Sequence, residues 1–274
     1  MVLKLTVFLT FIQQYLCFEC QFSDHVGLND RAGAFSSDLW FWPQHRVYFW
    51  FDSSINKDDR KIIWKYMKEI ERNTCIKFEE TPKRRYKYLT IHTEKSFDCT
   101  YCKLMGLHCP LKNGGTVRTS PFCNKEFDCP YYYGSVTMKL SIRLPFCGQS
   151  QRWKKLIVHE LLHVLGLIHT QNRVDRDKYI SINKDAIDKK SIDQYLPKCH
   201  SCPTFNLPYE CNSVMHYGWM DFASAGRLMA FFKPTMTSKH PSCHLTSDGG
   251  SNPTEADWEM ARRIQRCGFV ESRP

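Results

Sequence analysis

His159-Glu160-Leu161-Leu162-His163-Val164-Leu165-Gly166-Leu167-Ile168-His169 is the stretch on which the rest of the chain is read. At ~100° per residue, a helix sets His159 and His163 within ~40° of each other, about 6 Å apart along its axis, so the two imidazoles can share one ion. A helix continued to His169 would carry that ring ~9 Å farther and onto another face. Three imidazoles therefore converge only if the chain bends, and Gly166 is the residue type that ends helices in a left-handed conformation. Three neutral imidazoles leave a zinc ion its full double charge and an open fourth position, which suits a catalytic site better than a closed structural one. Glu160, beside the first imidazole, is then free to take a proton from a water in that open position, whose pKa zinc lowers to about 7. A bare HExxH also arises in ordinary amphipathic helices, with core or surface histidines. A glycine and a third histidine at fixed offsets are a far more specific signal.

A second run, Ser213-Val214-Met215-His216-Tyr217, follows downstream. Together the two runs resemble the metzincin zinc endopeptidases, and within them the astacin family. The same resemblance is carried by Arg173-Val174-Asp175-Arg176-Asp177-Lys178-Tyr179-Ile180, by Leu39-Trp40, by Asn73-Thr74-Cys75-Ile76-Lys77-Phe78 and by Cys267, so that it spans residues 32 to 267. It implies an α+β fold, a metzincin (zincin-like) two-lobe domain. The N-terminal lobe would be a twisted mixed sheet with two helices, and the C-terminal lobe would have few regular elements and a final helix. It also implies one Zn(2+) per chain held by His159, His163 and His169, with Glu160 as general base and Met215 as an apolar floor. Tyr217 would contact the metal at rest and swing away to hydrogen-bond the oxyanion during turnover. His216 is not read as a ligand. One departure stands out: the family places a glutamate after the third histidine, which helps bury the amino terminus freed by activation, whereas this chain has Thr170.

Composition agrees with an exported enzyme. The chain has 274 residues, 42% hydrophobic and 14% aromatic, enough to bury one large domain or two lobes around a cleft. Fourteen cysteines point to an oxidising compartment. Lys4 precedes the apolar run from Leu5 to Ile12, the pattern of a signal peptide and too short for a bilayer, which needs about 20 residues. The expected organisation is a signal peptide over 1–17, a short propeptide over 18–31 and a zinc protease domain over 32–274. Arg31-Ala32 is the expected activation bond, and Asp24, His25 and Cys20 are the candidates for blocking the metal in the latent form. Removing Cys17 and Cys20 from fourteen cysteines leaves twelve, an even number able to pair completely. By resemblance, Cys75 pairs with Cys267, and Cys147 with Cys99 or Cys102. The remaining cysteines are read as clustering in two insertions, near 107–133 with Cys109, Cys123 and Cys129 and near 199–211 with Cys199, Cys202 and Cys211, both expected to form stapled loops.

Local patterns fill in the elements. Alternating Val47, Phe49 and Phe51 read as a strand, and Ile62, Ile63, Tyr66, Met67 and Ile70 as one face of a helix capped by Ser54 or Asn56. Further strands are expected at 76–80, 88–92 and 136–142; by resemblance the last is the sheet edge on which a substrate peptide lies antiparallel. Thr254-x-x-Asp257 opens a final helix that buries Trp258, Met260 and Ile264.

The net charge of +10 permits contact with an acidic surface or polysaccharide, but Lys61, Lys65, Lys68 and Arg72 read as the solvated face of one helix. By resemblance, Lys233 approaches the pocket beyond the scissile bond. The sequence thus leads to a secreted, extracellular zinc endopeptidase with a protein or peptide substrate, no nucleic-acid partner and no membrane insertion. The alternative is a catalytically silent secreted binding or inhibitory protein of the same fold.

Overall fold

The computed structural model describes residues 41–81, 87–93, 115–120, 134–140, 150–197, 203–224 and 233–268. The expected signal peptide, propeptide, Arg31-Ala32 bond, Cys99, Cys102, Cys147, Cys199 and Cys202 lie outside them.

Strand β1 (Arg46–Phe51) turns Val47, Phe49 and Phe51 inward, as its alternation predicts. Helix α1 (Lys57–Asn73) starts at Asn56, whose side chain accepts from the backbone N–H groups of Asp58 and Asp59. Those two acids sit in the first turn, where they oppose the helix dipole. Ile63, Tyr66, Met67 and Ile70 form its buried face, with Ile62 and Trp64 at the margin.

Strands β2 (Lys77–Glu80), β3 (Lys87–Thr93), β4 (Gly115–Ser120) and β5 (Gly134–Leu140) complete a five-stranded sheet in the order β2-β1-β3-β5-β4. All neighbouring pairs are parallel except β4–β5, which is antiparallel over residues 115–120 and 135–140. This corrects the expectation for the strand around 136–142. β5 is interior, hydrogen-bonded to β3 on one side and β4 on the other, and among the described residues β4 is the outermost strand on that side. The reason is that part of the segment read as an insertion is itself a strand that covers the outer side of β5. Val136, Met138 and Leu140 do face the core from β5.

Helix α2 (Ser150–Val164), which carries the first two histidines, is buried along nearly all of its second half. The carbonyls of its last residue and of the residue after it are met by groups distant in sequence. The Trp42 indole donates to Val164 O at 3.0 Å, and the Gln265 amide donates to Leu165 O at 2.8 Å. Gln265 also accepts from the Trp42 backbone N–H at 3.0 Å, so the three groups form one closed cap.

The second lobe has few regular elements: 3-10 turns, the short antiparallel pair β6 (Ile180–Ile182) and β7 (Met236–Ser238), and a small core of Ile180, Ile187, Tyr195, Tyr209 and Met236. The final helix α3 (Glu255–Ile264) begins with a capping box, in which Thr254 Oγ1 accepts from Asp257 N and Asp257 accepts from Thr254 N. Its buried Trp258 and Ala261 join the core of the first lobe, with Met260 and Ile264 packed at its edge. Cys75 and Cys267 are bridged, as the resemblance implied. Cys211 corrects a second expectation: it reaches forward to Cys243 and does not close the 199–211 segment on itself. Among the described residues, no helix is long and apolar enough to cross a membrane.

Candidate metal centre

Helix α2 holds His159 and His163 one turn apart, and the chain then reverses. Leu167 N returns to Leu162 O at 3.1 Å and Gly166 takes a φ of 95°, a conformation in which an L side chain is strained. The reversal carries His169 back to the other two rings. The Nε2 atoms lie 3.0 Å (His159–His163), 3.0 Å (His163–His169) and 3.1 Å (His159–His169) apart.

The hydrogen bonds behind two of these rings settle which atoms face inward. His159 Nδ1 is 2.7 Å from Val214 O and His163 Nδ1 is 2.7 Å from Leu167 O. A carbonyl only accepts, so both Nδ1 atoms carry the proton and both Nε2 atoms present lone pairs. Lone pairs converging at this distance repel unless a cation lies between them. Zinc–nitrogen bonds of 2.0–2.1 Å in a tetrahedral arrangement place nitrogens about 3.3 Å apart, close to the spacing here. Burial, with the Lys155 charge helping, pushes His159 down to about 4 against the opposing bond to Val214 O, so its ring is neutral at pH 7. The donor set therefore fits a metal ion.

Glu160 is fully buried beside the first of these histidines. Met215 is buried as well, and its carbonyl accepts from Thr170 N at 2.9 Å, which ties the segment after His169 to the methionine turn. The Tyr217 ring lies 4.4 Å from the His169 ring, and its hydroxyl is 3.5 Å from Gln194 Oε1. His216 stays outside the triad, bonded to Tyr209 and to the Tyr217 carbonyl. Lys233 donates to Asp185 O.

Several side-chain hydrogen bonds that organise the site carry no signal in the sequence pattern. Gln171 is fully buried and accepts from Tyr217 N at 3.1 Å. Ser213 Oγ donates to Asp257 Oδ1 at 2.7 Å, and accepts from Met215 N at 2.9 Å and from Thr170 Oγ1 at 3.2 Å. Gln194 and Tyr209 complete the surroundings of Tyr217 and His216. A cavity of about 400 Å³ is lined by Ile168 and Thr170, the neighbours of His169, and by Ser213, Asp257, Met260 and Ile264, among others.

A mixed sheet backed by the histidine helix, a glycine reversal to a third imidazole and a methionine turn beneath define a metzincin-like protein. Comparison with known proteins narrows this. The family model described as Astacin, a peptidase family, matches residues 35–106 and 122–264. The chain is 26% identical over 234 residues to zinc metalloproteinase nas-14 of Caenorhabditis elegans, covering 83% of this chain and 37% of that protein. It is 26% identical over 243 residues to protein SpAN of Strongylocentrotus purpuratus, covering 88% and 33%. Its fold is similar to high choriolytic enzyme 1, a hatching enzyme zinc-protease of Oryzias latipes, with a TM-score of 0.59 at 21% identity over 85% of this chain and 98% of that one. The chain belongs to the astacin family. It spans 28% to 37% of the length of the first curated relatives it matches.

Proposed function

We propose that this chain is a secreted zinc-dependent endopeptidase that hydrolyses internal peptide bonds of protein substrates. The observation that carries the reading is the convergence of three buried Nε2 atoms within 3.1 Å of one another, with the Glu160 carboxylate next to the first of them in sequence. His159, His163 and His169 would hold one zinc ion. Bound zinc supplies a Lewis acid that polarises the scissile carbonyl and makes a water molecule nucleophilic at neutral pH.

The remaining work falls to side chains. Glu160 takes the proton from the attacking water and returns it to the departing amine, a double role for which burial next to the ligands suits it. Tyr217 donates its phenolic hydrogen to the oxyanion, leaving its place near Gln194 to do so. Met215 packs as the apolar floor, and Val214 O and Leu167 O keep the ligand rings in the tautomer that presents Nε2.

Export would follow from residues 1–17 and latency from residues 18–31, with release at Arg31-Ala32. Thr170 stands where the family's glutamate anchors the freed amino terminus.

The test uses the full chain, exported and processed, on a denatured protein substrate with and without a zinc chelator, beside Glu160→Ala. Cleavage that needs zinc and is lost in the variant supports the reading. Chelator-insensitive cleavage, or full activity in Glu160→Ala, defeats the mechanism. Zinc bound to a folded chain with no cleavage under any condition favours a silent binding protein.

A further inference from the structure

The residue assigned to the oxyanion has its main chain held on both sides of its Cα. Tyr217 N–H donates to Gln171 Oε1 at 3.1 Å, and Tyr217 C=O lies 2.7 Å from His216 Nδ1. These two groups belong to the peptide planes on either side of the Tyr217 Cα, so holding both fixes φ and ψ at that residue.

Each holder is itself held. Gln171 is fully buried, and its backbone carbonyl accepts from Arg176 Nη1 at 2.9 Å. Because Gln171 Oε1 must face the Tyr217 N–H, its amide cannot be flipped without setting donor against donor. His216 Nε2 lies 2.9 Å from the Tyr209 hydroxyl. With Nδ1 facing a carbonyl, Nδ1 carries the proton, so Tyr209 donates to Nε2 and fixes the tautomer. Tyr209 is stacked on Tyr179, with ring centroids 4.5 Å apart and planes 5° from parallel. On the far side, Gly249 packs against the His216 carbonyl so closely that a Cβ there would come within 2.0 Å of that oxygen.

The Tyr217 ring is surrounded by rings of a different kind. His169 lies at 4.4 Å, Phe222 at 5.3 Å and Tyr195 at 5.8 Å, contacts along which a ring can pivot without breaking a strong bond. The main chain is therefore held by directional hydrogen bonds, while the ring meets mainly aromatic neighbours.

We propose that Gln171 and His216, the latter set by Tyr209, form a two-sided clamp on the Tyr217 main chain, so that its phenol moves by side-chain rotation about a fixed Cα. These are positioning residues, and the proposal rests on the oxyanion role given to Tyr217. Because Gln171 is two residues beyond His169, the clamp also sets the distance between the pivot and the third ligand.

The experiment is a double-mutant cycle in the zinc-loaded full enzyme, pairing Gln171→Met with Tyr217→Phe and reading kcat, KM and zinc content. Methionine keeps the length of glutamine but removes the acceptor. The expected result is a fall in kcat of about ten- to a hundredfold, the scale of a small misplacement of a reacting group, with KM and zinc content nearly unchanged. In the Tyr217→Phe background the same substitution should cost less than about twofold, since the hydroxyl it positions is gone. Gln171→Glu, which keeps an acceptor, should recover part of the loss. If Gln171→Met fails to fold, Tyr209→Phe tests the other side of the clamp and should show the same loss of effect in the Tyr217→Phe background. Equal losses in both backgrounds, or an unchanged kcat, overturn the clamp while leaving the hydrolase reading intact. A zinc-loaded wild type without activity overturns both.

Discussion

Replacing Ser213 with alanine should destabilise the protein far more than the loss of one oxygen suggests. The hydroxyl joins three segments: the residue after the third histidine through Thr170 Oγ1, the methionine turn through Met215 N and the final helix through Asp257 Oδ1. One hydroxyl offers one donor and two acceptor sites, and all of them are used. Ser213, Thr170 and Asp257 are buried, so water cannot readily replace the lost bonds. An orphaned buried N–H at Met215 costs roughly 1–3 kcal/mol, and a hydrogen bond taken from a carboxylate roughly 1.5–3 kcal/mol more, giving roughly 2.5–6 kcal/mol in all. Equilibrium urea denaturation should show this as a lower midpoint with an unchanged slope. The cost should shrink in an Asp257→Asn background, because the charged acceptor is gone.

The pH profile gives an independent reading. Burial first, against bonds from Thr254, Ser213 and the Val214 backbone, holds Asp257 above the usual carboxylate range. Between the unfolded and folded values, the folded chain keeps a proton that the unfolded chain has released. Stability from this group is thus full below the unfolded value, is lost as pH rises through the folded value and is level above it. Ser213→Ala removes one lowering bond, so its declining window should extend to higher pH. A loss below about 1 kcal/mol, with no change in the profile, would refute the hub.

Lys87 is buried under Trp42, and desolvation pushes its ammonium down to about 7, below the 10.5 of an exposed lysine. Between those values the folded chain holds fewer protons than the unfolded one, so stability should rise with pH from neutrality towards about 10; Lys87→Met should flatten that slope in urea titrations across the range. Removing the Cys75–Cys267 bridge, which spans 192 residues, should cost about 5 kcal/mol, and removing Cys211–Cys243, which spans 32, about 4 kcal/mol; the reverse order in paired Cys→Ala variants would exclude loop entropy as the dominant cause. His163→Ala should reduce zinc affinity by more than the roughly 10–100-fold typical of changes behind a ligand, measured as metal retained per chain after dialysis against a competing chelator.

The triad was legible in the sequence because its parts are local. Helical pitch pairs His159 with His163, and the glycine conformation that returns His169 is a property of one residue. The alternation of Val47, Phe49 and Phe51 and the Thr254 capping box were legible for the same reason, while the choice of Asn56 over Ser54 as the first helix cap came from the structure. The edge of the sheet was not. Which side of β5 is free depends on whether a distant segment pairs with it, and the short strand Gly115–Ser120 gives a weak local signal inside a cysteine-rich stretch. Cys243 as the partner of Cys211 was hidden likewise, since a cysteine carries no record of which other cysteine lies near it.

By itself, then, the sequence determined which groups are present and how they are spaced: three imidazoles, a carboxylate and a phenol whose types restrict what they can bind. Tertiary structure decided what holds them. Trp42 and Gln265 close the histidine helix from positions 223 residues apart, and Gln171 grips Tyr217 across 46 residues. Ser213 reaches Asp257 across 44. Hydrogen bonds of this kind follow from where the packed core brings buried donors and acceptors together, and no periodicity along the chain encodes that meeting.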